Sequence, residues 1–335
     1  MRITPFIVLD QLQQAMQSMQ KSYARTNNQL GLQKRILAPS DDVSGTRRVL
    51  DYQVDISAND QFKRNIDTAT SNLNQTNTAL SSIDDVLSQV KEILLTSQSG
   101  SNNTNTRTVN TQMTALLRDQ FISLANTKVD GKYLFSGYLS NTLSYNTTTY
   151  AYQGDNGIVT IPVDHGTTMA TNIVGSDAFS YTLGAAYAKQ IPSGDYVHYT
   201  PGAGTTVDVE IRDATDTNVL DTFSFSNVMQ MTDILSTAIS TNNVDRIQAL
   251  IDPFDQVQNQ LSSASATVGA RLSSLNDQSN LLTQGTNSLQ NSLSSLQNVD
   301  LVQTAMELQK TDTTLQALYA ASAKIMSKSL LDFLS

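Results

Sequence analysis

Apolar residues recur along this chain at alternating steps of three and four, the spacing of a helix with one buried face, and that pattern governs most of its length. The first series is Leu9, Leu12, Met16, Met19, Tyr23 and Leu30, interrupted by Thr26. A longer one runs Phe62, Ile66, Ala69, Leu73, Thr76, Leu80, Ile83, Leu87, Val90 and Leu94 without a slip. At 1.5 Å per residue a helix of that span is about 50 Å long, more than a compact globule accommodates. Between the two, Pro39-Ser40-Asp41-Asp42 breaks the chain, then offers an N-cap oxygen and first-turn negative charge for a new helix. The polar run from Ser97 to Arg107 predicts a turn. Beyond it Val109, Met113, Leu117, Phe121 and Leu124 define a third helix, folding back as an antiparallel hairpin and ending near Asp130-Gly131.

From about residue 132 to 226 the heptads vanish, and aromatics, glycines and alternating β-branched residues replace them. Tyr150-Ala151-Tyr152 and Val159 to Val163 flank Gly154-Asp155-Asn156-Gly157, which predicts a hairpin. Val207, Val209 and Ile211 alternate with charged residues as a half-buried strand, with Phe223 and Phe225 as its partner across the turn Asp213 to Asn218. Helical spacing returns at Ile247, Leu250, Phe254, Val257, Leu261, Ala264 and Val268. A stutter to Leu272 follows, then Leu275, Leu282, Leu289, Leu293 and Leu296. Pro253 after Asp252 marks a fresh helix start. The last stripe is Leu301, Ala305, Leu308, Leu315, Tyr319, Met326, Leu330 and Phe333.

The fold these patterns predict is mainly α with a β-rich insert: long antiparallel coiled-coil-like helices from both termini and a small β domain. Its parts are terminal assembly helices at 1–40 and 300–335, a helical rod at 41–137 and 227–299, and the β-rich domain at 138–226. The two end stripes lie outside the rods and have no obvious globule to join. Leu9, Leu12, Met16, Met19, Tyr23, Leu30, Leu308, Leu315, Tyr319, Met326, Leu330 and Phe333 are therefore the candidate assembly interface, facing other subunits, or each other after assembly. Lone amphipathic helices are marginal in water, so the isolated monomer is expected to be folded from about residue 45 to 295 and disordered at both ends.

Composition narrows the function. Charged residues are 15% of the chain and the net charge is -9, which disfavours a phosphate backbone, and Lys34-Arg35 and Arg47-Arg48 are too small a basic patch to reverse that. Nucleic acid is not an expected partner. With no cysteine there are no disulfides or thiolate metal ligands. No apolar run approaches the ~18 residues of a membrane span, and the N-terminus lacks the pattern of a cleavable signal.

Candidate chemistry is sparse. His165 and His198 have no ligand-type neighbours at short spacing, and capping accounts for Asp41-Asp42. Pro201 to Thr206 lacks the Lys-Ser/Thr ending of a phosphate loop, and Asp213 to Asn218 lacks the glutamate that closes a calcium loop. No catalytic residue, cofactor or metal is expected.

Several motifs carry a resemblance. Gln33-Lys34-Arg35-Ile36-Leu37-Ala38-Pro39-Ser40-Asp41-Asp42 and, more specifically, Gly131-Lys132-Tyr133-Leu134-Phe135-Ser136-Gly137 resemble segments of the flagellin-like hook-filament junction family, the type 3 hook-associated proteins. Tyr152-Gln153-Gly154-Asp155, Val174 to Phe179, Val268-Gly269-Ala270-Arg271-Leu272 and Val299 to Ala305 are similar to further parts of it. The resemblance implies an outer placement for the β domain and export through the flagellar type III pathway, with a cytoplasmic chaperone holding the C-terminal helix. It further implies a ring of copies outside the cell, between the first hook-associated protein and flagellin. Rival readings are a flagellin filament subunit, or an exported module whose β domain grips glycan or receptor through exposed Tyr181, Tyr187, Tyr196 and Tyr199. A hydrolase using Asp164 and His165 is the third.

Overall fold

A computed structural model describes residues 5–98, 103–181 and 183–334, with side chains described at 7, 10–98, 103–181 and 183–324. In chain order the backbone forms α1 (Pro5–Leu32), α2 (Val43–Ser97), α3 (Thr104–Ala125), β1 (Lys128–Val129), β2 (Lys132–Tyr133), β3 (Thr160–Asp164) and β4 (Thr167–Ala170). It continues as α4 (Gly175–Phe179), β5 (Tyr187–Gln190), β6 (Tyr196–Pro201), β7 (Val207–Arg212), β8 (Val219–Phe225), α5 (Val228–Thr241), α6 (Val244–Ala249), α7 (Ile251–Gln297) and α8 (Leu301–Leu334). Two compact units result, one from the chain up to Asp60 and from Leu282 onward, the other from Gln61–Leu281.

The Gln61–Leu281 unit is built on its apolar seams. On α2, Ile66, Ala69, Leu73, Thr76, Leu80, Ile83, Leu87, Val90 and Leu94 are all buried, while Phe62 is half-buried with its ring edge-on to His165. On α7, Phe254, Leu261, Val268, Leu275 and Leu282, one heptad apart, are buried as well. Each such side chain contributes about 1.5–3 kcal/mol on leaving water. Polar contacts fix the helix directions. Lys91 bonds Gln258 and pairs with Asp255, while Asn65 and Gln278 both reach β3, at the Pro162 carbonyl and the Asp164 carboxylate; α2 and α7 thus run antiparallel. The polar threonine fits the α2 seam because the Thr76 hydroxyl is satisfied by the Asn72 carbonyl one turn back, leaving its methyl to pack.

The third helix departs from its predicted face. Thr114, Leu117, Phe121, Ile122 and Ala125 are buried, whereas Val109 and Met113 are exposed, because α3 packs on α5 along a line displaced from the simple heptad. Asp130 and Gly131 form the turn of the β1–β2 hairpin, both at positive φ as a two-residue hairpin loop requires.

The β elements form three small antiparallel sheets. The four-stranded one, β5-β6-β7-β8, realises the predicted pairing, with Val207 opposite Phe225 and Val209 opposite Phe223. The hairpin expected around Gly154 to Gly157 does not form. Tyr152 instead bridges Tyr145, and the local hairpin is β3–β4, turning through Gly166. Long-range hydrogen bonds outcompete the turn signal there: Asp155 Oδ1 accepts from the backbone of Tyr138 as well as Gly157, and the Tyr152 hydroxyl donates to the carbonyls of Phe135 and Asp155. Tyr181 and Tyr199 are buried, a correction to their expected exposure; Tyr187 stays 37% exposed and Tyr196 half-buried. The sheet is too small to spare them from its core. Tyr199 stacks on Tyr187 and donates to the Ala249 carbonyl, and Tyr181 packs against Phe225.

Candidate assembly interface

The unit containing the chain ends is an antiparallel pair, α1 against α8, with the end of α1 beside the start of α8. Seven of the candidate residues face this contact only partly. Leu12, Met16, Met19, Tyr23, Leu30, Leu308 and Leu315 are half-buried, and Tyr319 is 46% exposed, its hydroxyl accepting from Gln20 Nε2 at 2.6 Å. The side chains of Leu9, Met326, Leu330 and Phe333 lie outside the described residues. The most buried side chains of the pair are threonines: Thr26, which interrupts the first stripe, and Thr304 and Thr311, one heptad apart. Thr26 and Thr311 back-bond the Ser22 and Glu307 carbonyls, so their methyls carry the close contact. The α8 seam therefore begins at Thr304, while Leu301 and Ala305 point to solvent.

Threonine methyls bury little apolar area. Ile7, Leu32, Leu301, Val302 and Met306 remain substantially exposed, as do Val43, Leu50 and Val54 on the first turns of α2. This unit thus pairs its own helices weakly and keeps apolar surface on show, the condition of a surface that other helices cover.

A clasp joins the two interhelix loops. Arg35 N donates to the Gln297 carbonyl at 2.7 Å, Arg35 Nη2 to the Leu296 carbonyl, and Val299 N to the Gln33 carbonyl, with Lys34 bridging Asn298. Asp41 and Asp42 have separate tasks. Asp42 is the cap of α2, Oδ1 accepting from Gly45 N at 2.8 Å and from the Ser44 hydroxyl, while Oδ2 pairs with Arg35. Asp41 closes the preceding turn, accepting from the backbone of Leu37 and Ala38 and pairing with Arg25. A Cβ on Gly45 would lie 2.5 Å from Asp42 Oδ2 and 2.7 Å from Ile36 Cδ1, so this corner has room only for glycine.

The backbone donors of Ala38 and Leu37 hold the Asp41 carboxyl below its ordinary value, and the Gly45 N–H with the Ser44 hydroxyl does the same for Asp42. A lowered folded-state value gives stabilisation that is full above the ordinary carboxylate range near pH ~4 and is lost as pH falls through the folded values. On acidification below that range the clasp is expected to open first, read as faster amide exchange at Leu37, Ala38 and Gly45. Asp42→Asn should blunt the response at Gly45 alone.

The remaining candidate groups have partners that leave no reactive arrangement. Asp164 accepts from its neighbour His165 N and from Gln278, and the His165 ring packs on Phe62. His198 Nε2 meets Asp216 Oδ1 at 2.6 Å. Both Asp213 oxygens are taken by Thr215, Thr217 and Asn218. Among the described residues no three His, Cys, Asp or Glu side chains could hold a metal together, and no helix is long and apolar enough to cross a membrane.

Long paired terminal helices, a clasped double loop and a small antiparallel β region between them define a helical structural subunit. Residues 6–140 match the model of the bacterial flagellin N-terminal helical region, and residues 251–334 match that of the bacterial flagellin C-terminal helical region. The chain belongs to the bacterial flagellin family, which is one of structural proteins of the extracellular flagellum and not of enzymes. Flagellar hook-associated protein 3 of Salmonella typhimurium is 24% identical over 181 residues, 54% of this chain and 57% of that protein. The chain thus spans little more than half the length of that relative. In fold it is similar to a putative flagellar hook-associated protein from Vibrio parahaemolyticus, with a TM-score of 0.61, 19% identity and coverage of 77% of this chain and all of that one. Xanthomonas campestris FlgL gives 0.55, with 20% identity over 71% of this chain and 98% of that one.

Proposed function

We propose that this chain is the hook-filament junction subunit of a bacterial flagellum, located outside the cell and assembled through α1 and α8. The observation that carries the reading is the α1–α8 pair: a seam closed by threonines, with candidate interface residues half-buried and further apolar side chains exposed. Copies of the chain form a ring, with the first hook-associated protein on one side and flagellin on the other, and an export chaperone covers the C-terminal helix beforehand. The terminal helices reach full order when those neighbours complete their burial.

Charge supports the division of labour. The unit holding both ends carries ten basic and ten acidic residues, while Gln61–Leu281 carries eleven and twenty, hence the whole net charge of -9. Close packing of a neutral unit meets no net repulsion, and acidic surface elsewhere keeps copies soluble.

Labelling the chain in sheared hook-filament preparations tests this: the label should sit at the junction in a single short band. Label along the whole filament, with purified protein polymerising alone into long filaments, would instead make it the filament subunit.

A further inference from the structure

Three arginines of the Gln61–Leu281 unit are paired with carboxylates: Arg118 with Asp119 and Asp233, Arg212 with Glu210, and Arg246 with Asp221. Arg271 on α7 differs. It is half-buried, and its one partner is neutral, the Asn172 carbonyl that accepts from Nη1 at 2.7 Å. Lost hydration without a compensating anion pushes this guanidinium below its ordinary value.

Arg271 lines a cavity of about 240 Å³ between α7 and the segment from Ile158 to Asp177. Gln260, three turns earlier on α7, lines the same cavity, and its Oε1 is buried without a hydrogen-bond partner. Asp177 is an exposed carboxylate on the wall, and Ile173, Val174 and Ala264 supply apolar surface. An unpaired cation and an unsatisfied buried acceptor both cost stability unless something in the cavity completes them. One end asks for an anion and the other for an N–H donor, with apolar walls that suit a carbon skeleton between them.

We propose that this cavity binds a small zwitterion of free amino-acid size, its carboxylate on Arg271 and its ammonium group shared by Gln260 Oε1 and Asp177. A lone carboxylate satisfies only the arginine, and a lone amine only the other end. The site is independent of the α1–α8 surface, so it stands or falls apart from the assembly reading.

Calorimetric titration of the full chain with L-alanine, sodium acetate and ethylamine tests the site. L-alanine should bind, with each single-charge compound weaker by about tenfold or more, since each forfeits one set of charge-assisted hydrogen bonds. Arg271→Lys should lower the alanine affinity about tenfold by removing the planar fork. That change also removes the support at Asn172, so Gln260→Met, near in volume and remote from that contact, is the second variant and should weaken alanine with the helical circular dichroism unchanged. The proposal is overturned if L-alanine gives no heat and leaves the amide resonances of Asn172, Ile173 and Val174 unmoved, which would make the cavity a water site. Alanine binding that both variants leave intact, or acetate binding as tightly as alanine, overturns it equally.

Discussion

Phe135→Ala is expected to destabilise the Gln61–Leu281 unit by about 3–5 kcal/mol, the range for deleting a fully buried phenylalanine. Phe135 has no exposed surface, and its ring lies 5.0 Å from that of Phe179, edge to face. Phe179 in turn meets Phe121 at 5.6 Å and Tyr145 at 6.1 Å, so one ring ties α3, α4 and the segment after β2 together. The surrounding backbone cannot close the void. The Phe135 carbonyl is fixed by the Tyr152 hydroxyl and Gly175 N, and the Tyr145 hydroxyl, its pKa pushed up by burial, donates to the Gly175 carbonyl. Gly137, two residues on, holds a φ of +68°, and a Cβ there would meet the Asp155 backbone oxygen at 2.4 Å. Domain stabilities are about 5–15 kcal/mol, so the loss should move the urea midpoint by a large fraction of its value. Phe135→Leu, nearer in volume, should cost less than half as much.

Leu315→Asp is expected to abolish complementation of a motility-null strain while leaving unfolding of the Gln61–Leu281 unit within about 0.5 kcal/mol of the parent. Leu315 is half-buried on the α8 seam, one turn before Tyr319, whose hydroxyl is held by Gln20 of α1. A carboxylate there loses the apolar contact and must be desolvated when neighbours close over the pair. The same charge at exposed Gln309 is the control and should preserve motility. Wild-type swimming with Leu315→Asp would remove α8 from the assembly surface.

The long seams were legible because burial on one helix face leaves a periodic trace whatever the helix packs on. Nine successive seam positions of α2 and the five-heptad line of α7 are buried as the spacing implies. The β7–β8 pairing was legible for the same reason, with period two. The region around Tyr150 to Val163 was not, because its conformation is decided by tyrosine hydroxyls reaching backbone carbonyls far along the chain, as Tyr152 does to Phe135, and no local pattern encodes such a bond. The Gly131 to Gly137 motif pointed to the right place without disclosing its role, which is to seat Phe135 in an aromatic nucleus.

At the candidate interface the apolar stripes located α1 and α8, yet their most buried positions are threonines. Thr26 reads as a gap in the heptad because its hydroxyl counts as polar; the hydroxyl is spent on the Ser22 carbonyl, and what faces α8 is a methyl. The cavity beside Arg271 left no trace either, since a missing partner is a property of three-dimensional surroundings and not of residue type.

The most direct test of the account is amide hydrogen exchange, followed by mass spectrometry, on the purified monomer and on the assembled junction. The account predicts that peptides from α1 and α8 exchange rapidly in the monomer and become protected on assembly, while the α2 seam from Ile66 to Leu94 is protected in both. Equal and strong protection of α1 and α8 in the monomer would contradict it, because the terminal helices would then be finished structure before any neighbour arrives.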